Sequence, residues 1–369
     1  MAWTPPSLHG IGCATLEVGN NQSREKGQRE MNISRIGLDL AKNVFEVHGV
    51  DAQEQMVVRR TLRRAKVLEY FAQLAPCVVG MQACGGAHYW ARELAKLGHD
   101  ARLMAPQFVA PYRKSEKTDR NDAQAICEAL GRPSMRFVPV KDEEQQSVMM
   151  LHRMRSLLLG ERTALVNQTR GLLGEYGIVV GQNIGRLRAR LPEILEEGEN
   201  WLPTLARELF ADLHRRLREL DAKIGEYDKR IEQMARASEV AQRLMRVEGI
   251  GALTATAIVA AAGDARQFAN GRQFAAWMGL VAREYSSGGK IRRGRISKRG
   301  DAYLRTLLIH GARVVYRFLG ERTDRKSLWV RQLAQRRGAN KAIVALAAKQ
   351  ARILWVLLAK GCAYEPVRA

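Results

Sequence analysis

The chain of 369 residues is poor in several things that would place it quickly. It has five cysteines, at 13, 77, 84, 127 and 362, with no CxxC pair and no ligand spacing. A disulfide framework and a zinc ribbon are thereby excluded, and the thiols read as reduced, most of them buried, in a cytosolic protein. No apolar stretch approaches the ~20 residues of a membrane span; residues 352–359 (RILWVLLA) are too short and suit a core helix. Aromatic residues make up only 6%, which argues against base-stacking platforms of the single-strand-binding kind. Acids are scarce beside bases: 38 Asp and Glu face 60 Lys and Arg, a net charge of +22. Such an excess favours a polyanion as partner, most often nucleic acid, although a merely soluble basic protein has the same balance.

Residues 1–30 also lack pattern. They mix Pro, Gly, Asn and balanced charges, with no apolar core of a signal peptide. This extension is expected to be disordered, and Met31 reads as the natural start.

From residue 31 to about 145 the pattern is α/β. Residues 35–41, 44–50 and 55–61 read as three strands with short gaps, an antiparallel meander. A helix at 65–75, a strand at 77–83, a helix at 87–98, a strand at 101–105 and a helix from Asp119 follow. Three strands and then helix–strand alternation is the order of a ribonuclease-H-like sheet.

Three aspartates stand out on that frame. Asp39 lies in the first strand. Asp119 and Asp122 open the last helix, and their i,i+3 spacing puts both carboxylates on one face. Three carboxylates from two elements can converge on a hard cation such as Mg²⁺. Taken alone, the same residues read as a helix cap and a solvated first-turn acid.

From about 146 to 245 the chain turns helical. Leu209, Leu213, Leu217, Leu220, Ile224, Tyr227, Ile231 and Met234 form a near-heptad seam. Two readings stay open: a coiled coil between chains, or a hairpin within one chain with a partner helix from 150–178. Residues 246–369 form a third, mainly helical unit. Gly249-Ile250-Gly251 opens it as a helix-hairpin-helix-like turn with backbone N–H groups for phosphate, though a plain helical turn would look the same. His48, His88 and His310 read as packed or hydrogen-bonded, and Trp90, Trp277 and Trp355 as core anchors.

Between 283 and 317 lie Arg283, Lys290, Arg292, Arg293, Arg295, Lys298, Arg299, Arg305, Arg313 and Arg317, opposed only by Glu284 and Asp301. Within this tract runs Tyr285-Ser286-Ser287-Gly288-Gly289-Lys290. A serine beside glycines and among arginines is what attack on a phosphodiester needs: backbone that approaches closely, and guanidinium groups to hold the nonbridging oxygens. Such a hydroxyl still needs activation. A flexible basic linker has the same composition.

Six ordered blocks together resemble the DEDD-type insertion-sequence transposases, the one-ten family and its eleven-eleven subgroup, with the pilin-gene invertases as relatives. They are GLDLAKNVFEVHGVD, the block from MQACGGAHYW to APQFVAPY, KTDRNDAQAICEA, LVNQTRGLLGEYGI, GIGALTATA, and SSGGK with RISKRGDAYLRTLLIHGAR. The resemblance runs from about Met31 past residue 350. It implies a RuvC-like domain (31–145), a coiled-coil linker (146–245) and a serine-bearing transposase domain (246–369). It further implies a site-specific recombinase that cuts and rejoins DNA at element ends and target, guided by an element-encoded RNA. The active form would be a dimer or tetramer with a composite active site, in the bacterial cytoplasm at the nucleoid.

Carried over by position, Asp39, Asp119 and Asp122 would be catalytic and would bind Mg²⁺. Ser287 would be the nucleophile, with Ser286 the lesser choice. Arg283, Lys290, Arg292, Arg293, Arg295, Lys298, Arg299, Gly249 and Gly251 would hold nucleic acid. One position departs: the family reads M-E-A-C where this chain has Met81-Gln82-Ala83-Cys84. Gln82 would occupy the fourth ligand place without a charge, weakening cation binding by a few kcal/mol, order of magnitude only. Two other readings therefore remain: a RuvC-like metal nuclease with no covalent intermediate, and a catalytically impaired copy that only binds nucleic acid.

Overall fold

A computed structural model describes residues 32–365. The proposed disorder of residues 1–30, the start at Met31 and Cys13 lie outside the described residues.

The N-terminal part is a six-stranded sheet ordered β3-β2-β1-β4-β5-β6. Strands β1 (Arg35–Leu40), β2 (Val44–Val50) and β3 (Met56–Arg63) form the expected antiparallel meander. A 3₁₀ turn and α1 (Val67–Ala72) lead to β4 (Val78–Gln82), which pairs parallel with β1. Helix α2 (Ala87–Lys96) then returns the chain to β5 (Asp100–Met104), parallel to β4. The short α3 (Pro106–Val109), α4 (Asp119–Leu130) and a two-residue β6 (Phe137–Val138) complete the unit; α3 and β6 have too few residues to leave a periodic signal.

Strand alternation divides the sheet's faces. Ile36, Leu38, Val79 and Met81 are buried among Phe71, Trp90 and Leu94 of α1 and α2. Gly37 turns to the other face, against α4. A Cβ at Gly37 would lie 2.2 Å from the Ala123 carbonyl oxygen, so the strand's backbone is the surface on which α4 rests.

A capping box begins the next helix: the Asp142 side chain accepts from Gln145 N–H (2.7 Å), and Gln145 Oε1 accepts from Asp142 N–H (3.2 Å). Helix α5 (Glu143–Glu175) runs out, α6 (Ile184–Glu196) folds across its far end, and α7 (Thr204–Ala237) returns. The seam is thereby closed within the chain. Arg162 donates to Asp221 (3.0 Å) and Arg155 pairs with Asp228, so rising numbers on α5 meet falling numbers on α7, an antiparallel hairpin. Leu217, Leu220, Ile224 and Ile231 are buried, at roughly 1.5–3 kcal/mol each. Leu209 stays exposed, because Ala206 and Phe210 are the buried positions at that end of α7.

The C-terminal unit packs α8 (Glu239–Met245), α9 (Ala252–Ala262), α10 (Gly271–Trp277), α11 (Ala302–Arg317), α12 (Arg325–Arg337) and α13 (Ala339–Lys360) around one apolar cluster. Between α10 and α11 stands a hairpin of β7 (Ala282–Glu284) and β8 (Arg293–Ile296). Met149 and Ala235 join this cluster, which roots the α5–α7 hairpin in it.

Two expectations need correction. Helix α13 spans 22 residues and is long and apolar enough to cross a membrane by length and composition. Its alanine-rich first half extends the apolar run beyond 352–359. The helix is nonetheless a core element, with Ala342, Leu346, Ala351 and Leu354 buried in the cluster. The described cysteines divide evenly rather than being mostly buried: Cys77 and Cys127 are buried, Cys84 and Cys362 exposed, all four free.

Candidate functional site

Asp39 follows Gly37 on the same face of β1, so its carboxylate points to the α4 side of the sheet. The parallel register pairs Leu38 with Met81. One step further along each strand come Asp39 and Gln82, neighbours at the open end of the sheet. Helix α4 enters there. Its N-cap is Thr118, whose side chain accepts from Asn121 N–H (3.3 Å). Asp119 is therefore a first-turn residue and not the cap, and Asp122 is buried rather than solvated. The plain reading of the two acids fails at both positions.

The carboxylates feel one another. Burial pushes Asp39 up to about 6, and the charges of Asp122 and Asp119 push it the same way. Arg113 Nη1 donates to Asp122 Oδ1 at 3.1 Å, a partner that no periodicity in the sequence announces. Among the described residues no three of His, Cys, Asp or Glu are gathered closely enough to hold a metal ion. The chemistry of the donor set does fit a divalent cation: the groups offer only oxygen as ligand, and they carry repulsion that a cation would relieve.

The serines lie elsewhere. Ser287-Gly288-Gly289-Lys290 is the corner of the β7–β8 hairpin, closed by Lys290 N–H donating to Ser287 O at 3.0 Å. Gly288 and Gly289 have φ of +55° and +76°, the two positive values of a type I′ turn. A Cβ at either would meet nothing within 4 Å, so the need for glycine there is conformational. The Ser287 hydroxyl stands at the corner, exposed. Ser286 Oγ instead donates to Glu284 Oε1 at 2.8 Å. That hydrogen bond, with Arg293, holds the Glu284 carboxyl below its usual range, which makes it a weak base.

The hairpin is clamped at its root. Ser297 N–H donates to Val281 O (2.8 Å) and Lys298 N–H to Gly279 O (3.1 Å), with Lys298 at φ +54°. Arg305 donates to Met278 O at 3.1 Å. Of the cations expected at the site, Arg283 donates to Ser297 O and Arg293 pairs with Glu284. Lys290, Arg292, Arg295, Lys298 and Arg299 are exposed, with no side-chain partner among the described residues.

Gly249 and Gly251 part company. Gly249 (φ +83°) is pressed on α11: a Cβ would lie 2.6 Å from Gly311 O, and one at Gly311 would lie 2.0 Å from Gly249 O. This is a backbone-to-backbone helix contact. Gly251 stays open, with nothing within 4 Å of a Cβ. Thr254 and Thr256 in the following helix are buried.

Asp39 thus lies beside Gln82 and feels the charges of Asp122 and Asp119, and the cations stand with the serines. No hydrogen bond or ion pair joins Asp39, Gln82, Asp119 or Asp122 to the hairpin among the described residues.

Comparison with known proteins bears on both places. A profile described as Transposase matches residues 36–178, the sheet with its acids and all of α5. A second, described as Transposase IS116/IS110/IS902 family, matches residues 241–327, including the serine hairpin. A probable family 20 transposase of Pseudomonas aeruginosa is 56% identical over 91% of this chain and 100% of its own length. The transposase for insertion sequence element IS1111A of Coxiella burnetii is 42% identical over 98% of this chain and 99% of its own. That for IS1328 of Yersinia enterocolitica is 39% identical over 90% and 99%.

Proposed function

Since the chain belongs to the IS116/IS110/IS902 family of transposases, we propose that it cuts and rejoins DNA through a serine nucleophile, with an acidic Mg²⁺ site and a guide RNA. The carrying observation is the corner hydroxyl of Ser287, raised on a glycine turn among unpaired cations. Its Oγ would bond to the scissile phosphorus as one phosphodiester P–O bond breaks. The serine proton leaves to solvent or a bound oxygen, and the departing sugar oxygen gains one. Lys290, Arg292 and Arg299 would neutralise the phosphorane-like charge.

The strand order 3-2-1-4-5, with acids on the first strand and the last helix, supports the ribonuclease-H-like, RuvC-like reading of the N-terminal unit. Asp39, Asp119 and Asp122, with the Gln82 carbonyl, would hold the divalent ion. When bound, it supplies Lewis-acid stabilisation of the charged oxygens. Arg113 orients the Asp122 carboxylate through its hydrogen bond meanwhile. The lack of any hydrogen bond or ion pair between the acids and the hairpin among the described residues supports a composite site made by two subunits of a dimer or tetramer, in the cytoplasm at the nucleoid.

The test is Ser287→Ala on nicked element-end DNA. Covalent trapping and cleavage should both vanish; retained cleavage would favour the metal-nuclease reading. Gln82 favours a second reading, an impaired copy, which strand exchange by the purified chain with its RNA would remove. Sequencing RNA that co-purifies with the chain tests the guide.

A further inference from the structure

A cleft of about 990 Å³ separates the α3–β6 corner of the sheet from the helical C-terminal unit. Phe108, Arg136 and Phe137 line one wall; Trp277, Tyr285 and Arg299 line the other. Strand β7 borders it, so the cleft ends two residues from Ser287. None of Asp39, Gln82, Asp119 or Asp122 lines it.

We propose that this cleft takes an unpaired nucleotide of the strand held at the serine hairpin. The proposal rests on the reading that Ser287 works on DNA. Phe108 and Tyr285 are exposed aromatic rings on opposite walls, 36% and 64% accessible. Trp277 is braced by Phe268 and Phe274, with centroids 5.3 and 5.4 Å away, and gives a firm floor. The guanidinium groups of Arg136 and Arg299 have no side-chain partner among the described residues. The one acid in the lining, Glu284, is already engaged by Ser286 and Arg293. Flat apolar faces beside free guanidinium groups suit one ligand chemistry: a base to stack and a phosphate to neutralise. Duplex DNA hides its base faces in its own stack and cannot offer them here. An acidic peptide would satisfy the arginines but leave the rings uncovered. The volume lies in the range of small-ligand sites and admits a nucleotide. A low aromatic content overall conceals this local gathering, which the fold assembles from three separate segments.

The test uses the full chain, a short fluorescent oligo-thymidine and a duplex of equal length, at about 0.3 M salt to suppress backbone-only binding. Phe108→Ala with Tyr285→Ala should weaken oligo-thymidine binding by about tenfold or more and leave duplex binding within about twofold. Both side chains are exposed, and an unchanged melting transition checks the fold. A 4-thiothymidine probe should crosslink to the peptides bearing Phe108 or Tyr285. Unchanged oligo-thymidine affinity, equal loss for both probes, or crosslinks confined to other peptides would overturn the proposal. If the unaltered chain binds duplex but not oligo-thymidine, the cleft proposal falls alone. If it binds neither, the DNA-acting reading falls with it.

Discussion

Asp39 stands on a central strand between β2 and β4, with α4 resting on the backbone two residues before it. Ser287 stands on a two-stranded hairpin in which every residue from 281 to 295 is exposed. Packing fixes the first position before any ligand arrives; only a turn and a clamped root fix the second. A site with few buried contacts opens locally at little cost in free energy. The place of Asp39 is therefore set by packing within the single chain. Under the proposed function, the serine would acquire its working surroundings from what binds to it, whether nucleic acid, a second subunit or both.

The largest effect that sharpens this contrast is chemical. Ser287→Ala should lower strand cleavage by at least about 10³-fold while the melting temperature stays within error, because the side chain is exposed. Cleavage assays on nicked DNA beside calorimetry decide it. A fall in stability equal to that of a core variant would show that the hairpin is packed after all.

Backbone contacts supply the second contrast. Gly37→Ala puts a methyl where Ala123 O and Cys127 already stand, and should destabilise the sheet unit by about 3 kcal/mol. Gly288→Ala meets open space and carries only the cost of a positive φ, about 1 kcal/mol, confined to the turn. Denaturant melts of both variants test this. Similar midpoints would mean that α4 can retreat from β1, and that Asp39 is less firmly placed than its packing indicates.

Protonation divides the molecule in another way. His152 lies buried on α5, where Nδ1 accepts from Tyr303 Oη (2.9 Å) and Nε2–H donates to Thr256 Oγ1 (3.0 Å). Thr256 passes its own hydrogen to Ala252 O (2.8 Å), which sets that tautomer. Burial, then Arg155, lowers the imidazole from 6.5 to about 4. The folded chain binds fewer protons than the unfolded one between those values. This contribution to stability is complete above pH 6.5 and declines by about 2 to 3 kcal/mol as pH falls to 4. Asp39 has the opposite sign. Its folded carboxyl titrates near 6 against 3.8 unfolded, so cation-free protein gains stability on acidification, about 1 kcal/mol once its partial exposure is allowed for. Melts in chelator across this range, with His152→Gln and Asp39→Asn each removing one slope, separate the two.

Much of this was legible in the chain because period and position carry it. The alternation of residues 35–61 marked the meander, and the spacing of Leu217, Leu220, Ile224 and Ile231 marked the buried seam of α7. The seam could not name its partner, since a heptad stripe is the same whether it meets α5 or another chain; the Arg162–Asp221 pair shows its contact with α5 within the chain. Arg113 and the cleft aromatics were illegible for a different reason. They sit in short irregular segments whose neighbours are set by tertiary packing and not by spacing. The role of Gly249 was hidden likewise, because a turn glycine and a glycine pressed on Gly311 are written with the same letter. The Asp set was legible as types and places, but its burial, which moves Asp39, belongs to the fold.

A further modest effect concerns Gln82. Coulomb's law at a dry site would make the missing charge worth several kcal/mol, but Gln82 is half-buried at an open sheet end, where water raises the effective dielectric. Gln82→Glu should therefore tighten Mg²⁺ by about tenfold, near 1.4 kcal/mol, and raise activity at limiting Mg²⁺. A new carboxylate beside Asp39 also adds repulsion in the absence of the ion. The same variant should then melt lower in chelator and higher in Mg²⁺ than the unaltered chain, a crossing that a residue outside the ligand set would not produce. Titration calorimetry with Mg²⁺ and paired melts read both, and parallel behaviour of the two proteins would remove position 82 from the acid edge.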